Sequence, residues 1–147
     1  MFSAAEIAAA VDEDLANLQY EDDMKINYNE RHFRSVANSG AGDVDSDTLF
    51  HYRQTGDVVW ATYQGGGVAF GTLTAVVLAD GRLDMRYQQV STAGTIKTGR
   101  CVSVPEVLPD GRLRLRESWH WTEGGHGSGE STIEEVFPLL HDAKEGS

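Results

Sequence analysis

The sequence predicts a mainly β protein, an eight-stranded antiparallel up-and-down β-barrel preceded by an N-terminal α-helix. Three observations carry this expectation. From Lys25 onward apolar and polar residues alternate with the period of a strand. Turn residues break the alternation at short intervals. One phrase occurs twice, LADGRLDMR at residues 78–86 and LPDGRLRLR at residues 108–116, with Asp-Gly between two alternating segments each time.

The helix comes first. Ser3 can cap it, and Glu6 completes a capping box. Ile7, Val11, Leu15 and Leu18 form one narrow apolar stripe. That stripe is expected to dock on the barrel, on a second copy in a homodimer, or on another protein. Three units follow: residues 1–24 as an acidic helical extension, 25–138 as the barrel, and 139–147 as a polar tail.

Strands are expected at about 25–37, 47–54, 57–63, 67–78, 82–91, 95–107, 112–122 and 130–137, with NSGAGDVDSD, TGD, QGGG, STAG and EGGHGSG among the connections. Asp-Gly signals a two-residue type I′ hairpin, because both central residues need positive φ. On that rule Leu78 faces Leu83, Val76 faces Met85, and Thr74 faces Tyr87; the second copy pairs Leu108 with Leu113. Pro105 lacks a ladder donor, so a bulge is expected there. Every connection is short, and no crossover helix is available. An open meander would leave two exposed edges, which closure removes. A two-sheet sandwich is the alternative.

The face pattern points to a polar interior. In the segment 112–122, Leu113, Leu115, Glu117, Trp119 and Trp121 share one face. Ile96, Thr98, Arg100 and Val102 are expected inward on the preceding strand, with Cys101 outward. An interior Glu117 raises three alternatives: a bulge turns it outward, it pairs with Arg100, or the two together read a ligand. A lone buried charge is costly. Phe50, Tyr52, Val59, Ala61, Tyr63, Phe70, Thr72, Thr74, Val76, Met85, Tyr87 and Gln89 complete the expected interior. The candidate ligand-binding residues are Tyr52, Tyr63, Tyr87, Gln89, Arg100, Glu117 and Trp119, since ligand pockets combine aromatic walls with a few placed polar groups.

Charge and motifs narrow the function. The formal net charge is −11, and residues 1–24 hold seven acids and no base. Such a chain repels phosphate backbones and anionic lipid surfaces, so neither nucleic acid nor membrane is an expected partner. No apolar run reaches the roughly 18 residues of a span. The N-terminus lacks a basic leader and the single cysteine excludes an internal disulfide, so a cytoplasmic location is expected. The histidines His32, His51, His120, His126 and His141 show no zinc-helix spacing. Neither a metal nor a cofactor is expected, and no catalytic residue is assigned. QGGGVA, Gln64 to Ala69, matches the Q-x-x-G-x-A loop of acetyltransferases, but the following FGTLTAVV alternates as a strand, so a glycine-rich hairpin turn is expected.

The stretches HFRSVANS, TLFHYRQTGDVVWATYQGG, FGTLTAVVLADGRLDMRYQQV and TGRCVSVPEVLPDGRLRLRESWHWT resemble a family of small bacterial proteins often labelled N-acetylglutamate synthase. That label implies acetyl transfer from acetyl-CoA to glutamate. The expected architecture is also similar to the lipocalin and avidin (calycin) barrels, which implies a ligand in the barrel. Three functions follow. The first is a small-molecule binding module, the second an assembly module using the N-terminal helix, and the third an enzyme, either the labelled acetyltransferase or an acid–base catalyst using Glu117. A binding module is preferred over an enzyme.

Overall fold

The computed structural model describes residues 25–40 and 42–137. The N-terminal helix with its Ile7–Leu18 stripe and the tail 139–147 lie outside these residues. The chain forms eight strands: β1 (Arg31–Ser39), β2 (Leu49–Thr55), β3 (Val58–Gly65), β4 (Val68–Val77), β5 (Leu83–Ser91), β6 (Ile96–Val107), β7 (Leu113–Glu123) and β8 (Ser128–Val136). All neighbours are antiparallel, and β8 returns to pair with β1, so the sheet is a closed barrel. His32 meets Val136 and Ser35 meets Ile133 across that last ladder. Closure leaves no edge strand, which settles the barrel over the sandwich.

The repeated phrase makes a different turn from the one expected. Leu78 N–H donates to Arg82 O and Gly81 N–H to Leu78 O. The loop therefore has three residues, Ala79, Asp80 and Gly81. Gly81 alone takes positive φ, at 92°, while Asp80 accepts from Arg82 N–H. This is a type I turn closed by a glycine bulge. Leu108–Arg112 repeats it, with Gly111 at φ 91°, and Ser91–Thr95 repeats it again with Gly94 at 88°.

The extra loop residue shifts both ladders by one position, and a shift of one residue exchanges the faces of a strand. Val77 pairs with Leu83, Ala75 with Met85, and Leu73 with Tyr87. Gly71, Leu73 and Ala75 therefore point inward, while Phe70, Thr74 and Val76 are exposed and Thr72 lies on their face. In the next hairpin Val107 pairs with Leu113, Ser103 with Glu117, Cys101 with Trp119, and Gly99 with Trp121. Cys101 thus faces inward, contrary to expectation, and Ile96, Arg100 and Val102 face out. Pro105 sits in a regular ladder opposite Leu115; the β6–β7 irregularity falls at Thr98/Gly99 instead.

The two barrel ends differ. At the end carrying the β2–β3, β4–β5 and β6–β7 turns, residues 25–30 are not strand, unlike the expected start at 25. Tyr28 is buried there. Its N–H donates to Gln54 Oε1, and its ring lies 6.2 Å from that of Tyr52. Phe33, Tyr52, Val59, Leu83, Leu115 and Ile133 join it in a dense apolar core with no exposed surface. This plugged half supplies the hydrophobic stabilisation and leaves the other end free to be polar.

Gly81→Ala and Gly111→Ala test the turn chemistry. Nothing lies within 4 Å of a methyl added at either position, so the cost is that of the backbone conformation alone. Each substitution is expected to lower stability by about 1–2 kcal/mol, read as a lower urea midpoint at unchanged m-value.

Candidate functional site

The end opposite Tyr28 holds a cavity of ≈ 60 Å³. Strands β2 to β7 supply Phe50, Tyr63, Leu73, Met85, Tyr87, Gln89, Cys101, Glu117, Trp119 and Trp121, and β8 supplies Ser131. Asn38 and the β1–β2 loop residues Gly42, Asp43 and Val44 form its rim. The space suits a few waters or a compact ligand group.

Small residues shape its walls. A Cβ at Gly71 would overlap the Tyr63 ring, one at Gly99 the Tyr87 ring, and one at Gly129 the Trp119 ring. Each glycine faces its aromatic residue across a strand pair. The rings lie flat over the neighbouring backbone and so form a continuous wall. Phe50 stacks on Tyr63 at 4.8 Å between centroids, Tyr87 meets Trp121 edge-on at 5.4 Å, and Trp119 lies 5.6 Å from Trp121.

A polar chain crosses the rim. The Tyr63 hydroxyl donates to Gln89 Oε1 (2.9 Å), and Gln89 Nε2 donates to Asp43 Oδ2 (3.0 Å). Lys97 Nζ completes the chain with an ion pair to Asp43 at 3.1 Å, and the same ammonium lies 5.2 Å from the Trp121 ring centre. Asp43 in turn belongs to a loop fastened to the glycine run that resembled an acetyltransferase signature. Gly67 N–H donates to Asp43 O, and the Thr48 hydroxyl donates to Gly65 O. Side chains at Gly65, Gly66 or Gly67 would collide with Asp47, Asp45 or Asp43. QGGG is thus the β3–β4 turn, and its glycines allow a second loop to approach closely.

Glu117 forms the floor. It retains some surface, and it lines the cavity. Its Oε1 accepts from the Ser131 hydroxyl at 3.1 Å. Burial pushes the carboxyl up to about 7; the Ser131 and Ser103 hydroxyls pull it partly back. Arg100 does not neutralise it, since Arg100 is exposed on the outer wall opposite Arg86. Among the described residues Glu117 has no ion pair, and the buried hydroxyl of Tyr52 has no hydrogen-bond partner. Burial raises the Tyr52, Tyr63 and Tyr87 hydroxyls and the Cys101 thiol, and the Glu117 charge raises each further. These groups stay neutral near pH 7.

Of the seven expected site residues, Tyr63, Tyr87, Gln89, Glu117 and Trp119 line the cavity. Tyr52 lies in the plugged core, and Arg100 is outside the barrel. The proposed Arg100–Glu117 pair does not form. Asn38, Asp43, Cys101, Trp121 and Ser131 were not among those seven. Trp121 and Ser131 follow from alternation once the register is known. Asp43 carries no local signal, because its position depends on a loop folding back across the rim. His32 and His51 do meet, with rings stacked at 4.2 Å, but among the described residues no group of three metal-ligating side chains converges.

The fold is a closed eight-stranded antiparallel meander with one plugged end and a cavity at the other, a barrel size whose interior is either filled by side chains or holds one small ligand. The family described as Avidin-like protein matches residues 26–136, and the chain belongs to that family. No curated protein and no solved structure matches the chain. The N-acetylglutamate synthase label therefore finds no support, and its one apparent motif is a hairpin turn.

Two outcomes test the site's physics. Gly99→Ala brings a methyl to 2.5 Å from the Tyr87 ring and 2.7 Å from the His120 carbonyl oxygen, and is expected to cost about 1–3 kcal/mol by overpacking. Glu117 also ties stability to pH. Its folded pKa lies above the unfolded value, so its contribution is complete below about pH 4.5 and is lost as pH rises through about 7. The loss is at most about 3–4 kcal/mol, and less for the surface Glu117 keeps toward the cavity. Thermal melts at pH 5 and pH 8 should show a fall in wild type that is largely absent in Glu117→Gln.

Proposed function

We propose that this avidin-like barrel binds a small molecule, polar or aromatic, in the cavity beneath the Gly42–Thr48 loop. The observation that carries the proposal is the division of the lumen. One half is a closely buried, largely apolar core, while the other keeps open volume beside Glu117 and behind an aromatic wall. An interior built only for stability would fill that volume, since cavities and unpaired polar groups both cost free energy. Membership of the avidin-like family supports the same reading. The Asp43–Lys97–Gln89 contacts give the loop a polar latch that a ligand could meet or displace.

A metabolite library followed by thermal melting tests this. A bound compound at 100 times its Kd should add about 2.7 kcal/mol to stability and change the fluorescence of Trp119 and Trp121. Trp119→Ala should weaken binding at least tenfold while leaving the plugged core intact. A library that shifts neither the melt nor the fluorescence would overturn the proposal.

A further inference from the structure

Resting on that reading of the cavity, we infer that its ligand presents a protonated amine, held between the Glu117 carboxylate and the surrounding aromatic rings. Glu117 has one carboxylate oxygen engaged by Ser131 and no cationic partner among the described residues. The other acid at the site, Asp43, is already matched by Lys97 and Gln89. Among the described residues that line the cavity none is Lys, Arg or His, and the Lys97 ammonium at the rim is already paired with Asp43, so an anionic ligand meets no unpaired counter-charge there. A protonated amine supplies both the missing positive charge and an N–H donor. The wall favours the same chemistry. Phe50, Tyr63, Tyr87, Trp119 and Trp121 present π surfaces, and the chain places its own Lys97 ammonium against Trp121.

The groups around Glu117 make the charge dependence simple. From β6 come Cys101 and Ser103, from β8 Ser131, from β2 Tyr52, from β3 Tyr63 and from β5 Tyr87. Strand β4 offers Leu73, and β1 offers Asn38 at the rim. The hydroxyls and thiol remain neutral, and among the described residues at the site the one ion pair, Asp43–Lys97, is internally compensated. Glu117 is therefore the cavity-lining group that gains charge as pH rises through neutrality.

Benzylammonium, benzyl alcohol and benzoate form a test series of similar shape and different charge. Tryptophan fluorescence titrations on the full chain would be run at pH 5.5 and pH 8. At pH 8 benzylammonium should bind at least tenfold more tightly than benzyl alcohol, with benzoate weakest. That preference should shrink severalfold at pH 5.5, where Glu117 holds a proton, and in Glu117→Gln should fall at both pH values to the smaller, pH-independent part that the aromatic wall supplies. If Glu117→Gln does not fold, the wild-type pH comparison decides alone. Equal or tighter binding of the alcohol or benzoate, or a preference independent of pH, would overturn the inference and leave the binding proposal standing. Absence of binding by all three would overturn the inference, and the library screen would then decide the binding proposal by itself.

Discussion

The ladder between β1 and β8 is the constraint on which the rest of the structure depends. It joins the two ends of the strand sequence, and through closure it forces every side chain to be either lumenal or external. In an open sheet a strand could slip at modest cost. In a closed barrel a slip in one ladder must be taken up by all the others, so the parity of each residue is fixed by the whole circuit. Glu117 is lumenal and Arg100 external for that reason. The ladder is not uniform: it carries a bulge between Ser35 and Ala37, near the loop that covers the cavity. Bulges at barrel rims re-aim the chain, and this one precedes Asn38, a rim residue.

The lumen is divided between two physical regimes. Below, apolar side chains with no exposed surface do the stabilising. Above, aromatic rings lie over glycines and leave volume unfilled. The glycines weaken their strands individually, since they lose more chain entropy and pack no side chain. The same glycines let Tyr63, Tyr87 and Trp119 lie flat, a geometry that any larger residue would forbid. A similar exchange occurs at the rim, where the Gly65–Gly67 run gives up strand regularity so that the Gly42–Thr48 loop can close over the cavity.

Glu117 concentrates the tension between stability and use. A carboxyl in this position holds its proton until near neutrality, and a folded protein that must ionise it loses stability. Leu, Met or Gln there would relieve the cost. Groups that are costly to the fold and placed at a cavity are where function is commonly found. The outer wall shows the contrasting case. Arg112, Arg114 and Arg116 are matched by Asp110, Glu134 and Glu106 in partly exposed pairs, which satisfy charge without marking a site.

The number of strands, their order and nearly all their boundaries were legible locally, because alternation and turn residues are properties of adjacent positions. The lumenal face of β3 and β7 was legible too, since Val59, Ala61 and Tyr63, or Leu113, Leu115 and Trp119, alternate against polar neighbours. The faces of β4 and β6 were not. Both segments are mixed on either face, so their parity hung on whether Asp-Gly closes a two- or a three-residue loop, a choice of one residue that the flanking pattern leaves open. The site depended on that choice: it moved Cys101 in and Arg100 out. Sequence alone determined an antiparallel meander of eight strands, with closure preferred to a sandwich, and an acidic residue, Glu117, on the strand face that also carries Trp119 and Trp121. Only the tertiary structure decided which charges share a lumen, because that depends on register accumulated around a ring and on a loop returning from outside the strands, and neither is encoded within one segment.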